Sequence, residues 1–238
     1  MGVKEKLNQE GLMKILDTCY EKCLNGIPHV SPSIDSFAED YLSKYADVET
    51  AAKSMINHQV AKCTTSGFIT GFGGVITLPV TIPANVSSVL YVQMRMIACA
   101  AYMAGYDLKS DQTQTFVYAC LAGVSVTEVI KKASVKFGQK FANHLIEKIP
   151  GKVLTKINQK IGFRFITKFG EKGIINLGKL VPGVGAAING SLDFFETKVI
   201  GKRAYKFFIE KDPTMGMKKK TNADKDFIEV DVLDSDFS

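Results

Sequence analysis

The stretch CTTSGFITGFGGVITLPVTIPANVSSVLYVQM, from Cys63 to Met94, contains 32 consecutive residues and no charged side chain. Glycines concentrate in its first half, and two prolines follow. A neutral stretch of this length exposes too much apolar surface to remain in open water. Either the interior of the fold or lipid must therefore cover it, and this requirement decides the architecture of the whole chain.

Three structures would cover this stretch: a helix that spans a membrane, an interfacial hairpin, or a buried helix–turn–helix. A spanning helix needs about 20 apolar residues, so the length is sufficient. However, Pro79 and Pro83 lack amide donors, and several glycines weaken a continuous helix. The composition therefore favours the hairpin or the buried helix–turn–helix over a straight span.

The chain on both sides of this stretch has apolar residues at helical spacing. The predicted helices are 3–25, one that Asp35 or Ser36 caps, 48–64, 84–103, 111–122, 125–148, 152–169 and one that ends near 209. A second glycine-rich, apolar segment lies near 177–187 and contains one charged residue, Lys179. We expect an all-α, multi-helix bundle with glycine/proline-rich apolar helical hairpins. The hairpin residues are Gly71, Gly73, Gly74, Pro79, Pro83, Pro182, Gly183 and Gly185.

Composition shifts divide the chain into three predicted parts. Residues 1–28 form an N-terminal amphipathic helix, 29–210 a helical domain, and 211–238 a disordered acidic tail. Six acids and one base give residues 222–238 a net charge of −5. Apolar and acidic residues mix between Phe227 and Leu233. The tail, residues 224–238, is therefore a candidate protein-binding segment.

The cysteines and the N-terminus suggest the compartment. The five cysteines are odd in number and have no paired metal spacing, which is typical of reduced thiols in a cytoplasmic protein. The first nine residues are polar and contain no apolar segment of the kind found in secretory signals. We expect a cytoplasmic location.

Positive charge is concentrated between residues 131 and 180. Eleven lysines and one arginine oppose two glutamates there, a net of +10. Five of these bases recur at every fourth residue and share one row on the helix 152–169. They are Lys152, Lys156, Lys160, Arg164 and Lys168. Anionic lipid, nucleic acid or plain solvent would each suit such a row, but a single arginine and no nucleic-acid reading motif favour lipid.

The sequence also resembles the EcsC family. The resemblance rests on Gly73–Pro83, on Gln93–Ile97 with Ala104–Leu108, and on Val181–Ala186 with the later Gly201–Ala204. It covers roughly residues 60–210. It implies a helical, mostly bacterial protein whose activity is not established. It also suggests an association with membranes. An accessory role in a membrane transport, secretion, stress or defence system is one hypothesis consistent with that association.

Arg95 lies within the apolar region and would be costly to bury without a partner. By family position, Asp107 and Asp193 are the expected partners. The set is interpreted either as a structural ion pair or as a charge that binds a ligand.

No reaction can be derived from the sequence. The three histidines are far apart, no phosphate-binding loop or nucleophile elbow is present, and no metal or cofactor is expected. The leading hypothesis is a non-enzymatic protein at the inner face of a membrane. The alternatives are a hydrolase-like enzyme with a pocket around Arg95, Asp107 and Asp193, and a protein-binding module without lipid contact.

Overall fold

The computed structural model describes residues 9–63, 84–127, 146–169 and 185–217, without the side chains of 84–87, 167–169 and 185–194. These ranges contain seven α-helices, one π-helix and no strand, so the predicted all-α class is confirmed. The helices are α1 Gln9–Asn25, α2 Ile34–Leu42, α3 Val48–Lys62, α4 Ala84–Met103, α5 Asp111–Ala122, α6 Gly151–Phe169, α7 Gly185–Ala204 and the π-helix Tyr205–Ile209. The predicted helix 125–148 falls almost wholly outside the described residues.

Several helix ends follow from local sequence signals. α1 ends at Asn25 because Gly26 takes a left-handed conformation, with φ at +77°. α5 begins after Ser110, whose side chain accepts a hydrogen bond from the amide of Thr113. α2 begins at Ile34, before the predicted cap at Asp35 or Ser36. Asp35 instead lies in the first turn of α2. A carboxylate there interacts favourably with the partial positive charge at the start of the helix.

α4 is the central helix of the fold. It contacts α1, α2, α3, α5, α7 and the π-helix, and every residue from Leu90 to Ala101 is buried. A helix surrounded in this way can be apolar on all sides. Residues 88–94, the described end of the uncharged stretch, thus lie in or against the protein core. None of the described helices is long and apolar enough to span a membrane.

The two ends of the described chain are part of the same core. Leu12, Ile15 and Leu16 of α1 are buried against α4 and α6, so the N-terminal helix does not form a separate unit. Beyond the π-helix the chain continues to Met217, and Met215 is buried. Met217 is partly buried against the same core, so packed structure extends past residue 210.

Gly26 offers a direct test of the α1–α2 turn. A Cβ atom at this position would lie 2.6 Å from backbone atoms of Ser31 and Pro32, at a positive φ. We expect Gly26→Ala to lower the free energy of unfolding by about 2 kcal/mol, since a left-handed alanine alone costs about 1–2 kcal/mol. Chemical denaturation measures it. Gly151→Ala is the control because a Cβ there meets nothing within 4 Å, and an equal loss in both variants would contradict the explanation.

Candidate functional site

The helix α6 begins directly after Pro150. The carbonyl of Pro150 accepts hydrogen bonds from the amides of Val153 and Leu154 at 2.8 and 3.3 Å, which starts the first turn. One side of α6 is apolar and packs on α1 and α5. Its buried residues are Val153, Leu154, Ile157, Ile161 and Phe165. This packing fixes which side of α6 faces solvent.

The opposite side of α6 carries a row of exposed cations, which we call the basic face. It consists of Lys152, Lys156, Lys160 and Arg164, all of which are exposed. Lys168 continues the row in sequence, but its side chain lies outside the described residues. Successive members are one turn apart, at a rise of about 6 Å per four residues. The basic face is therefore an oblique row of positive charge along most of the helix, because each step of four residues turns about 40° beyond one full turn.

Two further features set this surface apart. The sequence of α6 contains no aspartate or glutamate, so no acid within the helix neutralises the row. Phe163 lies beside Arg164 with 68% of its surface exposed. A phenyl ring in water is unfavourable unless something covers it. A row of cations beside an exposed aromatic ring could bind a surface whose outer layer is anionic and whose inner layer is apolar.

Arg95 is buried, with 4% of its surface exposed. Among the described residues, its guanidinium donates hydrogen bonds to backbone carbonyls and to no carboxylate. Its Nη1 donates to the carbonyl of Cys23 at 3.3 Å, and its Nη2 lies 3.5 Å from the carbonyl of Ser33. The guanidinium also sits over the ring of Phe37, 4.6 Å from the centroid. Arg95 thus joins the end of α1 to the start of α2.

The residues expected around Arg95 have different positions. Asp107 is exposed, and its carboxylate accepts a hydrogen bond from the amide of Lys109 at 2.9 Å, so the predicted pair with Arg95 is absent. The side chain of Asp193 lies outside the described residues, and that half of the prediction stays open. Arg95 and Asp107, the two members of the predicted set whose side chains are described, are therefore not paired.

The predicted glycine–proline hairpins fall mostly outside the described residues. Residues 64–83 and 170–184 lie outside the described residues, and they contain Gly71, Gly73, Gly74, Pro79, Pro83, Pro182 and Gly183. Gly185 is the first residue of α7. The prediction that these hairpins are covered by protein or by lipid stays a prediction.

Sequence reasoning missed an open cleft of about 350 Å³ between α1, α5 and α6. Asp17, Asp111 and Asn158 lie in its wall, together with Gln114 and Tyr118. Nothing in the sequence links these residues, because they come from three separated helices and have no common motif. Only the packing of α1 across α5 and α6 places them together.

A hydrogen-bond network organises one wall of the cleft. The Tyr118 hydroxyl donates to Asp17 Oδ1 at 2.9 Å, and Gln114 Nε2 donates to the same oxygen at 3.0 Å. Burial raises the pKa of Tyr118 well above its usual range, so the hydroxyl keeps its proton. Asn158 Oδ1 is buried without a hydrogen-bond partner. The cleft is rich in acceptors and would suit a hydrogen-bond donor.

Metal binding has little support in the described residues. Within them, no group of three or more histidine, cysteine, aspartate or glutamate side chains is arranged to hold a metal ion. All five cysteines are buried and free of disulfides. Burial also raises the pKa of the thiols of Cys23, Cys99 and Cys120, which leaves them protonated.

Comparison with known families gives one match, a family model described as the EcsC protein family, over residues 8–209. The chain belongs to the EcsC family. The EcsC match contains Arg95 and all of α6, and it ends at the last residue of the π-helix. The acidic tail therefore lies beyond the EcsC region. No curated protein and no solved structure matches this chain.

Proposed function

We propose that this EcsC family protein is a non-enzymatic, peripheral membrane protein that binds anionic lipid headgroups through the basic face. The observation that supports this most is the row of exposed cations on an acid-free helix, with an exposed phenyl ring beside it. Each lysine or arginine near an anionic membrane contributes about 1 kcal/mol of binding. Four such residues together would give a useful, reversible affinity.

Phe163 would add an apolar contribution to this attraction. Peripheral helices commonly place aromatic side chains at the boundary between headgroups and acyl chains. Phe163 and the basic face lie on the same side of α6, so both can meet one flat surface. Nucleic acid would satisfy the cations, but surfaces that stack bases use several aromatic rings, and Phe163 is the one exposed ring among the described side chains of α6.

The inner leaflet is the anionic surface that such a face would meet. Cytoplasmic leaflets carry anionic lipids and attract basic segments at their surface. Buried cysteines without disulfides suit a reducing compartment on the same side. A location at the cytoplasmic side of the membrane and an accessory role in a membrane system follow as parts of the proposal.

Vesicle flotation tests the proposal. We expect the full-length protein to float with vesicles that contain phosphatidylglycerol and to stay unbound with phosphatidylcholine alone. High salt should release it, because the Debye length falls from about 10 Å at 0.1 M to about 3 Å at 1 M. Absence of binding to the anionic vesicles at low salt would exclude the proposed function.

A further inference from the structure

We propose that the acidic tail, residues 224–238, binds the basic face of the same chain and competes there with lipid. The competition with lipid rests on the function proposed above, whereas contact between tail and helix stands on its own. The proposal gives the protein a built-in control over its membrane binding. It follows from the charge of the two segments and from the place where the described chain ends.

The tail and the basic face are complementary in charge and in apolar character. Residues 224–238 contain six acids and one base, and α6 contains five bases and no acid. The tail also carries apolar residues between its acids, from Phe227 to Leu233. Phe163 offers the matching apolar contact beside the cations. The tail and the basic face thus each combine charged and apolar side chains, and their charges have opposite signs.

The position of α6 relative to α5 shows where the tail begins. Gln112 Nε2, near the start of α5, donates to the carbonyls of Glu147 and Ile149, just before α6 starts. These hydrogen bonds place the start of α5 beside the start of α6. The two helices also pack against each other and line one cleft together.

The last described residues are held near the end of α5. The thiol of Cys120 lies 3.9 Å from the sulfur of Met215, and the Thr127 hydroxyl donates to the carbonyl of Pro213 at 2.9 Å. The described chain thus ends beside α5, the helix on which α6 packs. Neighbouring helix axes are about 8–10 Å apart.

The chain is long enough to close this distance. Asp224 follows Met217 by seven residues, which span at most about 25 Å when extended. Glu229 and Asp231 follow within a few more residues, so several acids can lie along the row together. A tethered segment also has an effective concentration in the millimolar range, which favours weak contacts that free peptides would not make.

Each ion pair in this contact would be exposed and individually weak. Several pairs along one row act together, and all of them weaken as salt is added. Lys218, Lys219 and Lys220 precede the acids and repel the basic face, so the contact begins only at Asp224. The proposed contact is therefore reversible, sensitive to salt and displaced by a densely anionic surface.

Zero-length cross-linking of the full-length protein without lipid tests the contact. A carbodiimide joins a carboxylate to a lysine amine only when they touch, with loss of water. We expect links in the monomer from Asp224, Asp226 or Glu229 to Lys152, Lys156 or Lys160 at low salt and none at high salt. The Lys44–Asp40 pair, with its atoms 2.7 Å apart, is the internal control. Formation of the control link alone, or of tail links only between two copies, would overturn the proposal.

Vesicle binding tests the competition. The variant Asp224→Asn, Asp226→Asn, Glu229→Gln should bind phosphatidylglycerol vesicles about fivefold more tightly at low salt, since three weak pairs are lost. Glu21→Gln, Glu39→Gln, Glu49→Gln changes the net charge equally on exposed sites elsewhere and should have a smaller effect. Equal effects of the two variants would overturn the competition. If no form binds vesicles but the tail links appear, the lipid function fails and the contact between tail and helix survives.

Discussion

Replacement of Arg95 with leucine is expected to lower the free energy of unfolding by about 3 kcal/mol. A hydrogen bond from a charged donor contributes about 1.5–3 kcal/mol, and a desolvated cation–π contact contributes about 2 kcal/mol. Removing the cost of burying the charge offsets part of this loss. The Cys23 carbonyl would remain at the end of α1 without the Arg95 donor. Urea denaturation followed by circular dichroism measures the change.

Two further variants separate the contributions at Arg95. Arg95→Lys keeps the charge, but one ammonium cannot both donate to the Cys23 carbonyl and lie flat on Phe37, so most of the loss should remain. Phe37→Leu removes only the ring and should cost less than Arg95→Leu. If Arg95→Leu is as stable as the wild type, Arg95 does not stabilise the fold. The other interpretation, that Arg95 binds a ligand, would then be favoured.

Loss of the three lysines of the basic face is expected to weaken binding to anionic vesicles by about 100-fold. The variant is Lys152→Gln, Lys156→Gln, Lys160→Gln, and each lysine contributes about 1 kcal/mol near an anionic surface. All three are exposed, so the fold should be unaffected. Sedimentation with phosphatidylglycerol vesicles at low salt measures the change.

A matched variant removes the same charge from other helices. Lys44→Gln, Lys53→Gln, Lys62→Gln changes exposed lysines in α3 and directly after α2, neither of which packs substantially on α6. We expect this variant to lose less than about fivefold, because its charges would not touch the membrane. Equal losses in the two variants would mean that net charge, and no particular surface, drives the binding.

The helices themselves could largely be predicted from the sequence. Ala84–Met103 and Asp111–Ala122 have the predicted bounds because their end signals are local: prolines before α4, and a serine cap and a glycine stop for α5. The start of α2 was placed too late because Asp35 and Ser36 are both good caps. Cap residues are also common in the first turn, so the sequence alone does not separate the two positions.

The partner of Arg95 could not be predicted in the same way. A buried arginine suggests a carboxylate, and the sequence offers Asp107 and Asp193. In the structure the last turn of α1 supplies the partner. The last carbonyls of a helix accept no hydrogen bond from amides of the same helix, and they carry partial negative charge, so they can accept from a buried guanidinium. Which helix end meets which side chain depends on packing between segments 72 residues apart.

The cleft and the packing beyond residue 210 were missed for similar reasons. Asp17, Tyr118 and Asn158 meet only because three helices cross, and no spacing in the sequence marks them. Met215 and Met217 are the two apolar residues of a mostly polar segment, so composition alone groups them with the tail. The basic face, by contrast, was visible in advance because its period of four is a property of α6 alone.

The most direct measurement is the membrane depth of a label on α6. All five native cysteines are buried, so a nitroxide at Phe163→Cys can be attached selectively, with Lys44→Cys as the control position. On phosphatidylglycerol vesicles, the label at position 163 should lose contact with a polar relaxation agent and gain contact with oxygen, and the control should not change. If the protein is bound to the vesicles while the label at 163 keeps its accessibility in solution, α6 does not face the lipid.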